Sequence, residues 1–358
     1  MLWKNPALTL TVLFTLALGI GANTAIFTVD YATLIAPLPY PNPNQLVMVW
    51  SKIQNHHNNV AAGDFLDWRR DNKVFQSLHA WSGAAFNLAT HDEPEFVPGS
   101  YTTPGMATMM GYKFFLGRDL RPDEGVAGKD HVVVLTHRLW LKLGADPHIV
   151  GKTLRLDGLP YIVVGVEEPG LADRGQAQLS VPLVFKPEQI NHDFHWLLVM
   201  GRLKPGITLA QAQADMDSVT ANIAKAYPKS NQGWGAAVDP LKNDFLPPDR
   251  KATLWLLLGA VAFILLIACV NVANLLLARS LARQKEMAIR SALGATPKTI
   301  FAQLLSESLL LAFMGGILGV GVGYAMLRGL IAIMPKGTLP TEASLHLNLP
   351  ILLFTLIA

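Results

Sequence analysis

The sequence predicts an α-helical membrane protein with three complete transmembrane helices, the start of a fourth, and a large α+β extracytoplasmic domain between the first two. Three observations predict it. Charged residues make up only 15% of the 358 positions and hydrophobic ones 51%, whereas soluble domains carry roughly 25% charge. The deficit is local. Lys4 is the one charge between Met1 and Val29, and residues 252–278 and 308–327 have none over 27 and 20 positions. Residues 31–250 hold 20 Lys/Arg against 22 Asp/Glu, the balance of an ordinary soluble domain.

Residues 1–30 form the first predicted transmembrane helix, long enough for a bilayer core that needs roughly 20 apolar residues. A cleaved signal peptide is the rival reading. Its apolar run would be unusually long, and Ala17, Gly21 and Ala25 recur every four residues, as on the packing face of a membrane helix. Gly315, Gly319 and Gly323 repeat that spacing in a later apolar run. The plainer reading of both stripes is the general tolerance of membrane helices for glycine.

Residues 31–250 form the predicted outer domain. Apolar or alternating runs at 46–50, 131–135, 153–156, 161–166 and 196–203 predict strands, and Asp157-Gly158 predicts a hairpin turn. Helical periodicity covers 64–78, 138–143 and 208–226, the last opened by a Thr208/Gln211 capping box. Three tempting motifs have plainer readings. Gly151-Lys152-Thr153 lacks the upstream glycine of a phosphate loop, since position 146 is Asp, and it leads into a strand. His56-His57 reads as a solvated turn without a nearby carboxylate, and the acidic run around Glu95 as an exposed turn. No catalytic constellation, metal site or nucleic-acid surface is predicted. The lone Cys269 excludes an intrachain disulfide and reads as a small packing residue.

Residues 251–358 form the predicted membrane domain. Transmembrane helices are expected at about 252–278 and 303–334, with a fourth beginning at about 347–358 and unfinished at Ala358, so the chain reads as a fragment. The second span, about 40 Å long at 1.5 Å per residue, exceeds the bilayer core and could continue outward as a stalk. Asn271 and Asn274, costly in lipid, are expected to hydrogen-bond between helices. Between the second and third spans, Arg279, Arg283, Lys285, Arg290 and Lys298 face only Glu286, which places this loop in the cytoplasm and residues 31–250 outside. Its residues 280–294 form an amphipathic helix with a Glu286–Arg290 pair in the favoured i,i+4 order. Gly294 ends it, and Thr296-Pro297 starts the next helix. A positive-inside anchor touching phospholipid and a docking helix for a cytoplasmic partner both fit this composition.

The run from Asn271 to Ala295 resembles the signature of the FtsX/MacB-type ABC transporter permeases. Leu16-Ala-Leu-Gly-Ile-Gly-Ala-Asn-Thr-Ala-Ile-Phe27 and Pro37-Leu-Pro-Tyr-Pro41 agree with the family's first span and its exit. Asp64-Phe-Leu-Asp-Trp-Arg69, Leu154-Arg-Leu-Asp-Gly158, Val164-Gly-Val166 and Gly201-Arg-Leu-Lys-Pro-Gly206 resemble a MacB-like periplasmic core domain. The similarity extends to orphan permeases of soil bacteria that carry this unit twice. Two departures stand out: only Met1–Asn5 precede the first span, where family chains begin with an amphipathic helix, and no second copy follows.

The resemblance implies a non-catalytic permease subunit in a bacterial inner membrane, coupling ATP hydrolysis by a separate cytoplasmic ATPase to movement of the outer domain in export or mechanotransmission. Carried over by position, Arg283, Glu286, Arg290, Leu293, Gly294 and Ala295 belong to the coupling helix that docks on that ATPase. ATP is then bound by the partner, this chain needs no cofactor of its own, and its other partners are membrane lipid and a second permease copy, as a homodimer or as half of a longer chain. The alternative is a membrane-anchored extracytoplasmic sensor or scaffold without ATPase coupling. A membrane-tethered hydrolase is the third reading.

Overall fold

A computed structural model of the chain describes residues 6–89, 94–245, 248–282, 284, 289, 292, 296–333 and 348–357. The chain divides into two compact units, residues 37–245 and residues 1–36 with 246–358. In chain order the principal helices are α1 (Pro6–Asp30), α2 (Ala62–Asp71), α3 (Met106–Met110), α4 (His137–Lys142), α5 (Leu209–Ala226), α6 (Pro248–Ala282), α7 (Pro297–Ile333) and α8 (Leu349–Ile357).

In the helical unit, three helices among the described residues are long and apolar enough to cross a membrane: Thr9–Ile35, Lys251–Ala278 and Phe301–Ile333. The first runs five residues past the expected end at 30, because Tyr31–Ile35 continue α1 as a π-helical turn closed by Ala36 N–H donating to Tyr31 O at 2.7 Å. α6 spans 35 residues and α7 spans 37, about 52 and 55 Å at 1.5 Å per residue. Thr296 caps α7 as expected, its Oγ1 accepting from Thr299 N–H at 3.4 Å. The first span is 61% buried within this chain, against 17% and 22% for the other two. α1 is therefore the helix around which the others pack.

The outer unit is built on one twelve-stranded mixed sheet, ordered β12-β1-β11-β4-β5-β10-β7-β9-β6. Its strands are β1 (Leu46–Ile53), β2 (His56–Asn58), β3 (Val60–Ala61), β4 (Phe75–Ala89), β5 (Pro94–Thr102), β6 (Phe114–Gly117), β7 (Val132–Leu135), β8 (Thr153–Leu156), β9 (Leu159–Glu167), β10 (Leu179–Pro182), β11 (His195–Leu203) and β12 (Trp234–Pro240). β8 pairs with both β4 and β9, so β4-β5-β10-β7-β9-β8 close into a six-stranded ring. Phe86, Leu88, Val97, Val133, Leu135, Leu156, Val163, Leu179 and Val181 fill its core. Gly99 has to be glycine there, since a Cβ would sit 2.7 Å from Leu179 and 2.8 Å from Phe86. The first half of β4 belongs instead to the open sheet with β11, β1 and β12. One face of that sheet is covered by α2 and α5 through Phe65, Trp68, Ala212, Met216, Val219 and Ile223.

The hairpin at Asp157-Gly158 has both residues at positive φ, 52° and 81°, the signature of a type I′ turn. Thr208 and Gln211 form the reciprocal capping box that starts α5. The expected helix over 64–78 stops at Asp71. Asn72 ends it by donating Nδ2 to the carbonyls of Trp68 (2.7 Å) and Arg69 (3.2 Å), while its Oδ1 accepts from Phe75 N–H (3.1 Å). One carboxamide thus closes the helix and opens β4, and the expected helical residues 75–78 are strand.

Candidate functional site

α1 carries small residues expected to pack between membrane helices, and the structure places Gly21 against α7. A Cβ added to Gly21 would lie 2.7 Å from Val322 Cγ1 and 3.0 Å from the Gly323 nitrogen. One added to Gly323 would lie 3.0 Å from Gly21 O and 3.1 Å from Thr24 Cβ. Gly319 meets Ile20 at 2.7 Å and Gly315 meets Leu16 at 2.9 Å in the same way. Because α1 and α7 advance together, four residues per contact, the seam is parallel and as close as glycine permits. Ala17 and Ala25 are buried on α1. Toward the other end of the seam, Val12, Leu13 and Leu311 pack with Leu16, Val272, Leu275 and Leu276.

The same stretch of α1 bonds to the remaining helices. Asn23, 1% exposed, donates its Nδ2 to Gly19 O within α1 and to Val261 O of α6, both at 3.0 Å. Thr24 Oγ1 donates to Ile20 O (2.8 Å) and lies 3.0 Å from Thr355 Oγ1 of α8. Phe27 stacks on Phe354 with centroids 3.9 Å apart. Thr28 and Thr33 return their hydroxyls to carbonyls one turn back, at 2.6 and 2.7 Å, so a run of polar side chains is satisfied inside an apolar segment. Asp30 differs: it is 1% exposed and neither carboxyl oxygen has a hydrogen-bond partner.

Asn271 and Asn274, expected to make the interhelical hydrogen bonds, make none among the described residues. Both are exposed on α6, because the residues of α6 turned toward α1 follow Val261, Leu265 and Ala268, and 271 and 274 fall off that line at 100° per residue. Asn23 fills the role. Of the residues placed in the coupling helix, Arg283, Glu286, Arg290, Leu293, Gly294 and Ala295 all lie outside the described residues.

In the outer unit, His57 does meet a carboxylate, contrary to expectation: β12 brings Asp239 Oδ2 within 3.5 Å of its Nε2. His56 and His57 form the exposed strand β2 rather than a turn. Among the described residues no group of three His, Cys, Asp or Glu is placed to hold a metal. Lys152 pairs with Asp146, so the phosphate-loop-like tripeptide presents no free lysine, and Glu95 pairs with Lys142; residues 91–93 of the acidic run lie outside the described residues.

Buried polar groups that periodicity does not signal lie elsewhere. Asp64 Oδ1, at the start of α2, is 2.7 Å from His192 Nδ1 and from Asn231 Nδ2; burial raises its pKa, against the lowering effect of those two bonds. His192 also stacks on Tyr227 at 3.9 Å. Gly63 must be glycine beneath it, since a Cβ would lie 2.9 Å from the imidazole. Arg202 bonds to the carbonyls of Met109 (2.7 and 3.2 Å) and Pro41 (2.9 Å), tying β11 to the end of α3. Burial, with Asp119 and Asp173 nearby, pushes the Glu167 carboxyl up to about 8. Burial pushes His79 down to about 4, with Arg69 adding to the effect.

Residues 9–219 match the profile of the MacB-like periplasmic core domain, and residues 258–358 that of the FtsX-like permease C-terminal domain. Macrolide export ATP-binding/permease protein MacB of Neisseria gonorrhoeae is 27% identical over 220 residues, 60% of this chain and 33% of that protein. The uncharacterized ABC transporter permease YvrN of Bacillus subtilis is 28% identical over 217 residues, 57% of this chain and 51% of YvrN. The chain thus spans about a third of the length of the MacB proteins it matches. The crystal structure of the periplasmic region of MacB from Actinobacillus actinomycetemcomitans aligns over 54% of this chain and 88% of that one, with 16% identity and a TM-score of 0.42.

Proposed function

The chain belongs to the MacB/FtsX-type ABC transporter permeases, and from that premise we propose that it couples ATP hydrolysis by a separate cytoplasmic ATPase to movement of its extracytoplasmic domain. It is the non-catalytic membrane subunit of such a system in a bacterial inner membrane. Residues 37–245 work outside, and the segment around Glu286 docks on the ATPase. A second permease copy completes the assembly, and the surrounding lipid contacts the exposed faces of α6 and α7. ATP is bound by the partner subunit, and this chain needs no cofactor of its own.

The observation that carries this reading is the junction of the two matched regions. A periplasmic core profile and a permease profile follow one another along the chain, and α1, the helix entering the first region, is packed within the helical unit of the second. The positive-inside loop after α6 supports the orientation.

The test is purification of the full-length protein from its native membrane in mild detergent, with mass spectrometry of what stays bound. A cytoplasmic ATP-binding protein recovered with wild type and reduced at least ten-fold with Glu286→Arg is expected. An ATPase absent from both preparations, with an envelope protein retained through residues 37–245, would establish the sensor or scaffold instead.

A further inference from the structure

Residues 19–24 of α1 touch α6, α7 and α8, the other principal helices described in the unit. Gly19 approaches α6, with an added Cβ 3.1 Å from Ala268 Cβ; Gly21 approaches α7; Asn23 bonds to α6; and Thr24 bonds to α8. These contacts differ in kind. Glycine against a side chain lets the two backbones approach closely but supplies no directional bond between them. The Asn23–Val261 bond is directional and runs from a side chain to a backbone carbonyl that α6 needs for its own ladder. It therefore fixes the axial register of α1 against α6 and not merely their separation.

We propose that Asn23 is the positioning residue through which displacement of the second span is passed to the first, the clasp that makes α1 and α6 move as one body. The proposal rests on the transmission role given to the chain above. The segment assigned to ATPase docking follows α6, and residues 37–245 follow α1. A shift at the cytoplasmic end of α6 reaches α1 with its register kept only where the two helices are fastened. The Asn23 carboxamide supplies a buried side-chain hydrogen bond that fastens them. Its second acceptor, Gly19 O, holds the side chain in one rotamer, so the clasp is preorganised.

The test uses the full chain in lipid nanodiscs, with nitroxides on ketone-bearing amino acids at Leu10 and Leu277, exposed positions on α1 and α6. Pulsed electron resonance then gives the distribution of distances between the helices. Wild type is expected to give one narrow distribution, and Asn23→Leu, which keeps the branching and heavy-atom count and removes the donor, a distribution at least twice as wide. Thr15→Val, which removes a hydroxyl bonded only within α1, is expected to leave the width unchanged.

Rescue separates a clasp from a folding role. In a Cys269→Ser background, Gly19→Cys with Ala268→Cys places two Cβ atoms 3.1 Å apart, a few tenths of an ångström inside the 3.5–4.5 Å that a disulfide spans. Oxidation of that pair in the Asn23→Leu chain is expected to restore the narrow distribution, and reduction to widen it again. Should Asn23→Leu alone fail to insert, the bridge is formed first and reduced after reconstitution. An unchanged width in Asn23→Leu, or a width indifferent to oxidation, overturns the proposal.

Where the ATPase accompanies the chain, Asn23→Leu is expected to keep ATP hydrolysis within two-fold while the nucleotide-dependent change in distance falls at least three-fold. A change of wild-type size also overturns it. If wild type brings no ATPase, the function proposed above fails, and the distance widths still decide the role of Asn23.

Discussion

Glu167 and His79 are both buried in the outer domain in their neutral forms, and their effects on stability oppose each other. Glu167 keeps its proton up to about 8 in the folded chain, whereas an unfolded glutamate loses it near 4.5. Between those values the folded state binds more protons, so its contribution to stability falls as pH rises and is lowest above 8. His79 titrates near 4 when folded and near 6.5 when unfolded. There the unfolded state binds more protons, so stability rises with pH from 4 to 6.5. The two slopes offset one another between about 4.5 and 6.5 and leave only the decline toward 8. Denaturant titration of the full chain across this range is expected to show that shape. Glu167→Gln should abolish the decline above 6.5 and expose the rise below it, gaining on the order of several kcal/mol at pH 8; a variant as pH-sensitive above 6.5 as wild type would contradict the assignment. Neither group was legible in the sequence. Glu167 follows an apolar run whose end reads as a strand terminus, and only the pairing of Phe114 in β6 with it shows that the sheet continues over its side chain.

The seam between α1 and α7 depends on glycine at Gly21 and Gly323, where an added Cβ meets backbone at 3.0 Å on each side. Gly323→Leu is therefore expected to separate the two helices and to destabilise the solubilised protein by about 1–3 kcal/mol, lowering its thermal midpoint. Gly316→Leu on the same helix, with nothing within 4 Å of its Cβ position, is expected to change it little. Equal losses would show that helix propensity rather than the seam is being measured. The four-residue spacing of small residues was visible in both spans, because close approach imposes a residue type. The interhelical hydrogen bond expected of Asn271 and Asn274 was misplaced for a reason of phase. Asn271 and Asn274 lie in a charge-free run and so attract attention, but periodicity alone does not say which side of α6 meets α1. Strands were read well where they are apolar and bounded, as in β1, β7, β8, β9 and β11. They were missed where Gly, Ala, Ser and Pro dilute the alternation, as in β4, β5 and β12. The register of β4 against β11 and β5 overrides its weak local preference.

Among the described residues, the four hydrophobic clusters of the outer unit lie wholly within residues 37–245. A domain with its own cores folds by itself, so residues 37–245 expressed alone are expected to unfold in one cooperative transition or in two if the ring and the open sheet separate. A chain without near-ultraviolet circular dichroism would contradict this. Among the described residues, a self-sufficient outer domain is thus joined in the chain to helices packed around α1, an arrangement that suits the coupling role proposed above. The measurement that tests this most directly is hydrogen–deuterium exchange over residues 37–245 in the assembled membrane complex, with and without ATP and vanadate. The account predicts that trapping the ATPase changes exchange in the outer domain, and that Glu286→Arg abolishes the change. ATP turnover accompanied by an outer domain whose exchange is the same in both states would contradict it.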